Sequence, residues 1–413
     1  PALTASRADR LNDRSESAST RARSMRDVLV ACEVGLSVVL VVGAVLLVRS
    51  LMRLQDVDPG FNQQHVLTFM VSLPAARYPD APKRFVAFDA IERRLRDNPS
   101  VQAVGAASAL PLREFAWTGD STVEGRAPTD YERELRHESI TPDYFRAIGG
   151  RLIAGRMIDE HDTRDRPPVT IVNTALAKRY FRGEDAVGRR ITFGRPQDNS
   201  PWVTIVGVIA DVKQDGMDKP VEPEEYSPLA QRMQNPLMFA VRTTADPESA
   251  IAAARRAVHT VDKDVALTSV ATLKEVVQGA MSDQRFRTVL LSAFAAVALL
   301  LAAVGIYGVL AYFVTQRGRE LGVRLALGAR PSALFRLVIG QGLRPVAVGA
   351  VAGVLGALAV TSLLQSLLFG VEAIDVPTYG VAVALLGLIA TAACTLPALR
   401  AMRVDPLVAL REE

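Results

Sequence analysis

The chain has 413 residues, room for two or three domains, and a formal net charge of +4 at pH 7. Apolar residues make up 49% of it, but they are clumped: four blocks are almost free of charge, while a long middle region has ordinary soluble composition. That pattern excludes a wholly soluble protein and marks an integral membrane protein carrying a soluble domain. Two cysteines, Cys32 and Cys394, both lie in apolar runs, so disulfides do not hold the middle region together.

In chain order, Pro1 to Asp9 match Pro397 to Asp405 at six of nine positions. Such self-similarity points to a repeat, with the chain starting inside the tail of a preceding copy of the same module. Chance similarity of two Ala- and Arg-rich juxtamembrane stretches is the other reading. Residues 1–26 form a cytoplasmic linker, flexible from Asp9 to Thr20, where Ser, Arg and Asp dominate. The first span covers residues 27–50 and contains Glu33. A carboxylate in a membrane is by default a functional hypothesis. Its place within about two turns of the inner boundary also suits a side chain reaching headgroups or a neighbouring helix. The run is too long for a signal peptide and lacks a nearby small-residue cleavage site, so it stays as an anchor.

Residues 51–286 are soluble in character. Val66 to Leu73 reads as a strand, Phe85 to Arg96 as an amphipathic helix with Asp80 at its cap, and Val101 to Ser108 as a strand. The same order returns downstream: Leu237 to Thr243, then a helix from Pro247 to Val261 opened by Asp246, then Val265 to Ser269. Two strand-helix-strand units far apart in sequence predict one α/β sandwich split into residues 64–110 and 237–281, whose halves meet in space. The insertion, residues 111–236, is rich in Gly, Pro and short strands: Leu135 to Ile140, Val169 to Val172, Thr192 to Phe193 and Trp202 to Asp211. Short helices at Thr141 to Phe145 and Asn173 to Phe181 make it a mixed α/β subdomain.

Residues 287–399 carry three more spans, at 288–314, 345–369 and 376–399, followed by a tail at 400–413. At about 1.5 Å per residue each is long enough for a hydrocarbon core of roughly 30 Å. Residues Ala333 to Arg344 read as lying at the inner interface, before Pro345 opens the third span. Gly349, Gly353 and Gly356 put small residues on that span, where a neighbouring helix can approach closely. Arginines concentrate before span one, in the link after span two and in the tail, whereas the link from Ser366 to Thr378 has none and carries Glu372 and Asp375. The positive-inside rule then puts both termini in the cytoplasm and residues 51–286 outside.

Chemistry is sparse. Gly183 to Arg190 has the glycine spacing of a phosphate loop without its Lys and hydroxyl residue, and reads as a turn before Ile191. Four histidines lack metal-ligand spacing. The densest polar cluster, Asp159 to Asp162, is either a cation-holding loop or a solvated one. With no nucleophile motif and few, dispersed aromatic residues, the sequence predicts no catalytic site, no cofactor, no metal and no nucleic-acid partner.

The link after span two draws the functional expectation. On a helix Arg317, Glu320 and Arg324 share a face, with Glu320 and Arg324 at the favourable i,i+4 spacing, and Leu321 and Leu325 lie together on a neighbouring one. Gly328 suits a left-handed cap before the helix that opens at Pro331. Positive-inside anchoring alone would select the arginines; it does not explain Gly318, Gly322 and Gly328 among them.

The run Arg317 to Ala329 and the tail Pro397 to Arg411 resemble the FtsX-like ABC transporter permeases. Residues 51–286 resemble the MacB-like periplasmic core, through Pro142-Asp143-Tyr144-Phe145, Ala154-Gly155-Arg156, Ala186-Val187-Gly188-Arg189 and Val206 to Asp211. The arrangement is also similar to the C-terminal module of the duplicated orphan permeases of acidobacteria. The resemblance implies an α-helical membrane protein with four transmembrane helices and an α+β extracytoplasmic domain, in a bacterial inner membrane. It implies a permease half of an export or mechanotransmission system, acting as a homodimer or paired with a preceding tandem copy. A separate cytosolic ABC ATPase would contact Arg317, Arg319, Glu320, Arg324 and Gly328, with Asp405 and Pro406 of the tail nearby. A signalling or scaffold protein regulating a cell-envelope enzyme is the rival reading.

Overall fold

The computed structural model describes residues 2–113, 117–126, 132–181, 183–194, 201–317, 320, 323–324, 327, 330–365, 368–372, 375 and 376–402. The chain divides into two compact units, a helical one formed by residues up to 56 and from 283 on, and a middle one of residues 57–282.

Helix α1 (Ala2–Gln55) opens the helical unit. It begins well before the apolar run, where the sequence reading has a flexible linker. Residues 2–25 contain neither Gly nor Pro and are rich in Ala and Arg, so nothing in them stops a helix propagating outward from the span. Val30, Val34, Val38 and Val41 follow one another along a buried stripe.

Among the described residues the middle unit is built on one sheet of eleven strands: β1 (Val66–Val71), β2 (Val101–Ala107), β3 (Trp117–Val123), β4 (Glu132–Ile140), β5 (Leu152–Gly155), β6 (Val169–Asn173), β7 (Arg190–Phe193), β8 (Val203–Ile209), β9 (Glu224–Pro228), β10 (Leu237–Thr243) and β11 (Leu267–Thr272). Its helices are α2 (Ala81–Arg96), α3 (Tyr144–Ile148), α4 (Thr174–Phe181), α5 (Ile251–Val261) and α6 (Leu273–Ala280). Strand order starts β11-β1-β10-β2, all antiparallel, so the two distant halves of the sequence share one small sheet, with β1 paired to β10 along its whole length. Helices α2 and α5 supply Phe88, Ile91, Leu95, Ala254 and Val258 to its core, where Phe69 and Phe239 stack at 5.3 Å. The starts of these helices follow from the sequence: the Lys83 amide donates to Asp80 at 2.9 Å, and the Glu248 amide donates to Asp246 at 3.1 Å ahead of the 3-10 turn that leads into α5.

The insertion closes on itself. From β4 the pairings run through β3, β7, β8, β6 and β9, and β9 returns to β4 as a parallel neighbour. A second core, built on Leu135, Ile191, Ile205, Leu176 and Phe181, fills it. One pair, Ala107 with Ile140, carries the sheet from the first portion into this ring.

The remaining helices are α7 (Ser282–Gln316), α8 (Pro331–Leu364) and α9 (Val376–Met402). Among the described residues four helices, at Ser24–Gln55, Ser282–Gln316, Ser332–Thr361 and Val376–Leu399, are long and apolar enough to cross a membrane. Helix α8 opens at Pro331, as the sequence reading has it, with Pro345 inside it. The helix runs through that proline without a break, as apolar helices with packed neighbours allow, because the carbonyl that a proline leaves unbonded is satisfied locally.

Candidate functional site

The elbow between α7 and α8 is built from short side chains and charges. Arg317 follows the last turn of α7, its guanidinium 5.1 Å from the Phe313 ring centre. Glu320 lies 2.7 Å from Arg324 and 3.5 Å from Arg317, so one carboxylate bridges two guanidinium groups on the face the sequence predicts. All three are substantially exposed, which limits each ion pair to about 1 kcal/mol or less. Arg330 then stands in extended conformation and Pro331 opens α8. Arg319, Gly328, Asp405 and Pro406 lie outside the described residues, as do Leu321 and Leu325. The sequence reading missed Val323 and Leu327, which are 39% and 82% exposed beside the ion pairs. Their i,i+4 spacing was the available signal.

Gly349, Gly353 and Gly356 of α8 face α1. A methyl group placed on Gly353 would stand 2.7 Å from the Gly35 carbonyl oxygen and 2.7 Å from Val38 Cβ. One on Gly349 would meet the Ala31 carbonyl oxygen and, at 2.9 Å, Val34 Cβ, whereas one on Gly356 would make an ordinary 3.4 Å contact with Val39. Gly35, absent from the sequence-derived set, is the α1 half of this seam. Glu33 turns toward α7, where its carboxylate lies against Gly305, and the nearby Ser37 hydroxyl donates to the Ala298 carbonyl at 3.0 Å. At the other end of the same helices Arg49 pairs with Asp375, and the Phe369 amide donates to Ser50 at 2.8 Å. The acidic link between α8 and α9 thus finds its counter-charge on α1.

In the middle unit a buried polar seam joins the two portions. Glu138 on β4 accepts from the Ser108 hydroxyl at 2.5 Å and the Ala109 amide at 2.9 Å at the end of β2. Glu224 on the adjoining β9, in register with Arg136 of β4, accepts from the Tyr226 hydroxyl at 2.5 Å and from Gln214 at 3.0 Å. Burial raises both carboxyl groups, and for Glu224 the Glu138 charge adds to it. Arg136, paired with Asp215, offsets part of the shift. On the other face Glu225 lies 2.7 Å from His137 and 3.3 Å from Arg232 and accepts from Thr170 at 2.9 Å. Trp117 and Phe193 flank both His137 and Arg232. Sequence reasoning missed this whole set, because two glutamates and a proline in Glu224–Pro228 do not read as a buried strand.

In the Asp159 to Asp162 cluster, Asp159 and Asp162 are satisfied from within the loop. Asp162 binds Arg156 through both oxygens at 2.7 Å and accepts the Asp159 amide, and Asp159 accepts the His161 amide. Burial would raise the Asp162 carboxyl, but these bonds hold it below its usual range. Among the described residues no group of three or more His, Cys, Asp or Glu is placed to hold a metal ion. Gly183 and Gly188 sit at positive φ in the turn before β7, and the Gly188 amide is taken by the Ile205 carbonyl.

Two family models match the chain: the MacB-like periplasmic core domain over residues 34–259 and the FtsX-like permease C-terminal domain over residues 292–406. The macrolide export ATP-binding/permease protein MacB of Acinetobacter baylyi is 25% identical over 66% of this chain and 42% of its own length. The ABC transporter permease YvrN of Bacillus subtilis, itself uncharacterized, is 24% identical over 66% of this chain and 69% of its own length. The chain thus spans under half of the MacB relative. A solved structure, the periplasmic region of MacB from Actinobacillus actinomycetemcomitans, is similar at a TM-score of 0.37 and 16% identity, covering 53% of this chain and 94% of that one. With four membrane-length helices among the described residues and a middle unit that matches the periplasmic core model, the chain belongs to the ABC transporter permeases that combine a MacB-like periplasmic core domain with an FtsX-like permease domain.

Proposed function

We propose that this chain is a permease half or subunit of a bacterial ABC-type export system that transmits force from a cytosolic ATPase to an extracytoplasmic domain. The α7–α8 elbow and both termini face the cytoplasm, residues 51–286 lie outside, and the membrane is the inner one. Arginines near the elbow and in the part of α1 ahead of its apolar stretch support this orientation. The ATPase docks on the elbow through Arg317, Arg319, Glu320, Arg324 and Gly328, with Asp405 and Pro406 of the tail as further contacts. It closes and opens beneath a pair of permease units, two copies of this chain or this chain with a tandem copy. The cargo moved outward is a hydrophobic molecule, peptide or lipoprotein.

One observation carries the reading: Leu327 is 82% exposed next to the Glu320–Arg324 ion pair. Neither an exposed ion pair nor a solvated leucine adds much to the stability of this chain, yet an apolar anchor ringed by charges is the usual makeup of a docking patch. Purification from bacterial membranes in mild detergent tests it. The reading expects an ABC ATPase to co-purify with the wild-type chain and to be lost from Leu327→Asp, with insertion into the membrane unchanged. Recovery of an envelope hydrolase without any ATPase would favour the scaffold reading instead.

A further inference from the structure

The middle unit contains a cleft of about 400 Å³ between α2 and the loop of residues 158–163. That lies at the small end of the roughly 300–1,000 Å³ typical of small-molecule sites, too little for a folded segment of another protein. Its floor is apolar, from Phe88, Phe239, Ile158 and Leu229, and Phe85, 39% exposed, stands at its edge. Five carboxylates line it against two guanidinium groups.

The charges are not evenly paired. On α2, Asp89 with Arg93 at 2.9 Å and Glu92 with Arg96 at 2.6 Å neutralise one another. On the facing loop, Arg156 is shared between Asp162 and Asp159, the exposed His161 ring lies 3.4 Å from Asp159, and Glu160 is exposed with no partner among the described residues. The cleft therefore offers an apolar floor beneath a wall with surplus negative charge, the complement of a molecule with an apolar body and one cationic head.

We propose that this cleft binds a small amphiphilic organic cation, an amine carried on a compact apolar body. The apolar part covers Phe85, Ile158 and Leu229, and the ammonium group sits between Glu160 and Asp159. The proposal does not rest on the transport assignment: the cleft binds or fails to bind whether or not an ATPase docks elsewhere on the chain.

The test uses the full chain in lipid nanodiscs with empty nanodiscs as the blank, titrated with 4-phenylbutylamine and with its neutral analogue 4-phenylbutan-1-ol. Saturable binding of the amine, about threefold or more tighter than of the alcohol, is expected from an ion pair at a partly exposed rim. Glu160→Gln, at an exposed position that leaves folding untouched, should remove that preference, and Ala230→Trp should fill the cleft and abolish saturable binding. Equal affinity for amine and alcohol, an unchanged preference in Glu160→Gln, or wild-type binding by a folded Ala230→Trp chain would each overturn the proposal.

Discussion

Gly353 on α8 and Gly35 on α1 bring two helix backbones together: a single carbon added to Gly353 would stand 2.7 Å from the Gly35 carbonyl oxygen. Close approach of this kind replaces side-chain packing where lipid removes the hydrophobic drive between helices. It makes α1 and α8 a closely packed pair.

Gly353→Leu should therefore separate the pair. Overpacking at a helix seam costs about 1–3 kcal/mol, read as a lower unfolding temperature in detergent, while Gly356→Ala, which meets Val39 at an ordinary 3.4 Å, should leave it nearly unchanged. Equal effects of the two would mean that the seam does not hold the helices.

The buried Glu138 and Glu224 predict a pH dependence of the middle unit. Burial pushes them up to about 7 and about 8 respectively from an ordinary value of 4.5. The folded state thus holds protons that the unfolded chain releases above pH 4.5, so stability is highest at low pH in this window and falls as pH rises toward 8. The slope is about 1.4 kcal/mol per pH unit for each proton held. Urea unfolding of the chain at pH 6 and pH 8 reads it, and Glu224→Gln should flatten the dependence. A rise in stability with pH, or an unchanged slope in the variant, would contradict the assignment.

Asn173 joins a helix start to a buried strand. Its side-chain oxygen accepts the Leu176 amide at 2.9 Å and the Glu224 amide at 3.1 Å, and its nitrogen donates to the Glu222 carbonyl at 2.7 Å. Asn173→Ala leaves two amides without their acceptor, and about 2–4 kcal/mol of destabilisation is expected in chemical unfolding. Asn173→Asp, which keeps the acceptor oxygens, should lose less. A loss under about 0.5 kcal/mol for the alanine variant would mean that water replaces the side chain.

Much of the architecture was legible because it is written in local patterns. Apolar length marked four spans, and the pairs Asp80-Pro82 and Asp246-Pro247 marked two helix starts that the structure places on one sheet. Tertiary contacts hid the rest. Glu224 and Glu225 become strand residues only because Gln214, Tyr226, His137 and Thr170 satisfy them from elsewhere in the chain. The Arg49–Asp375 pair links residues too far apart for any local pattern to connect. At the elbow the Glu320–Arg324 spacing is local and legible in the sequence, whereas the exposure of Leu327 depends on how the link folds.

The central claim is that this elbow lies in the cytosol where a motor reaches it, and cysteine labelling tests that claim most directly. Leu327→Cys, probed with a membrane-impermeant maleimide, is predicted to react in inverted membrane vesicles and to stay unlabelled in intact spheroplasts, with protection when the ATPase is bound. Labelling from the outside of intact spheroplasts would contradict the account.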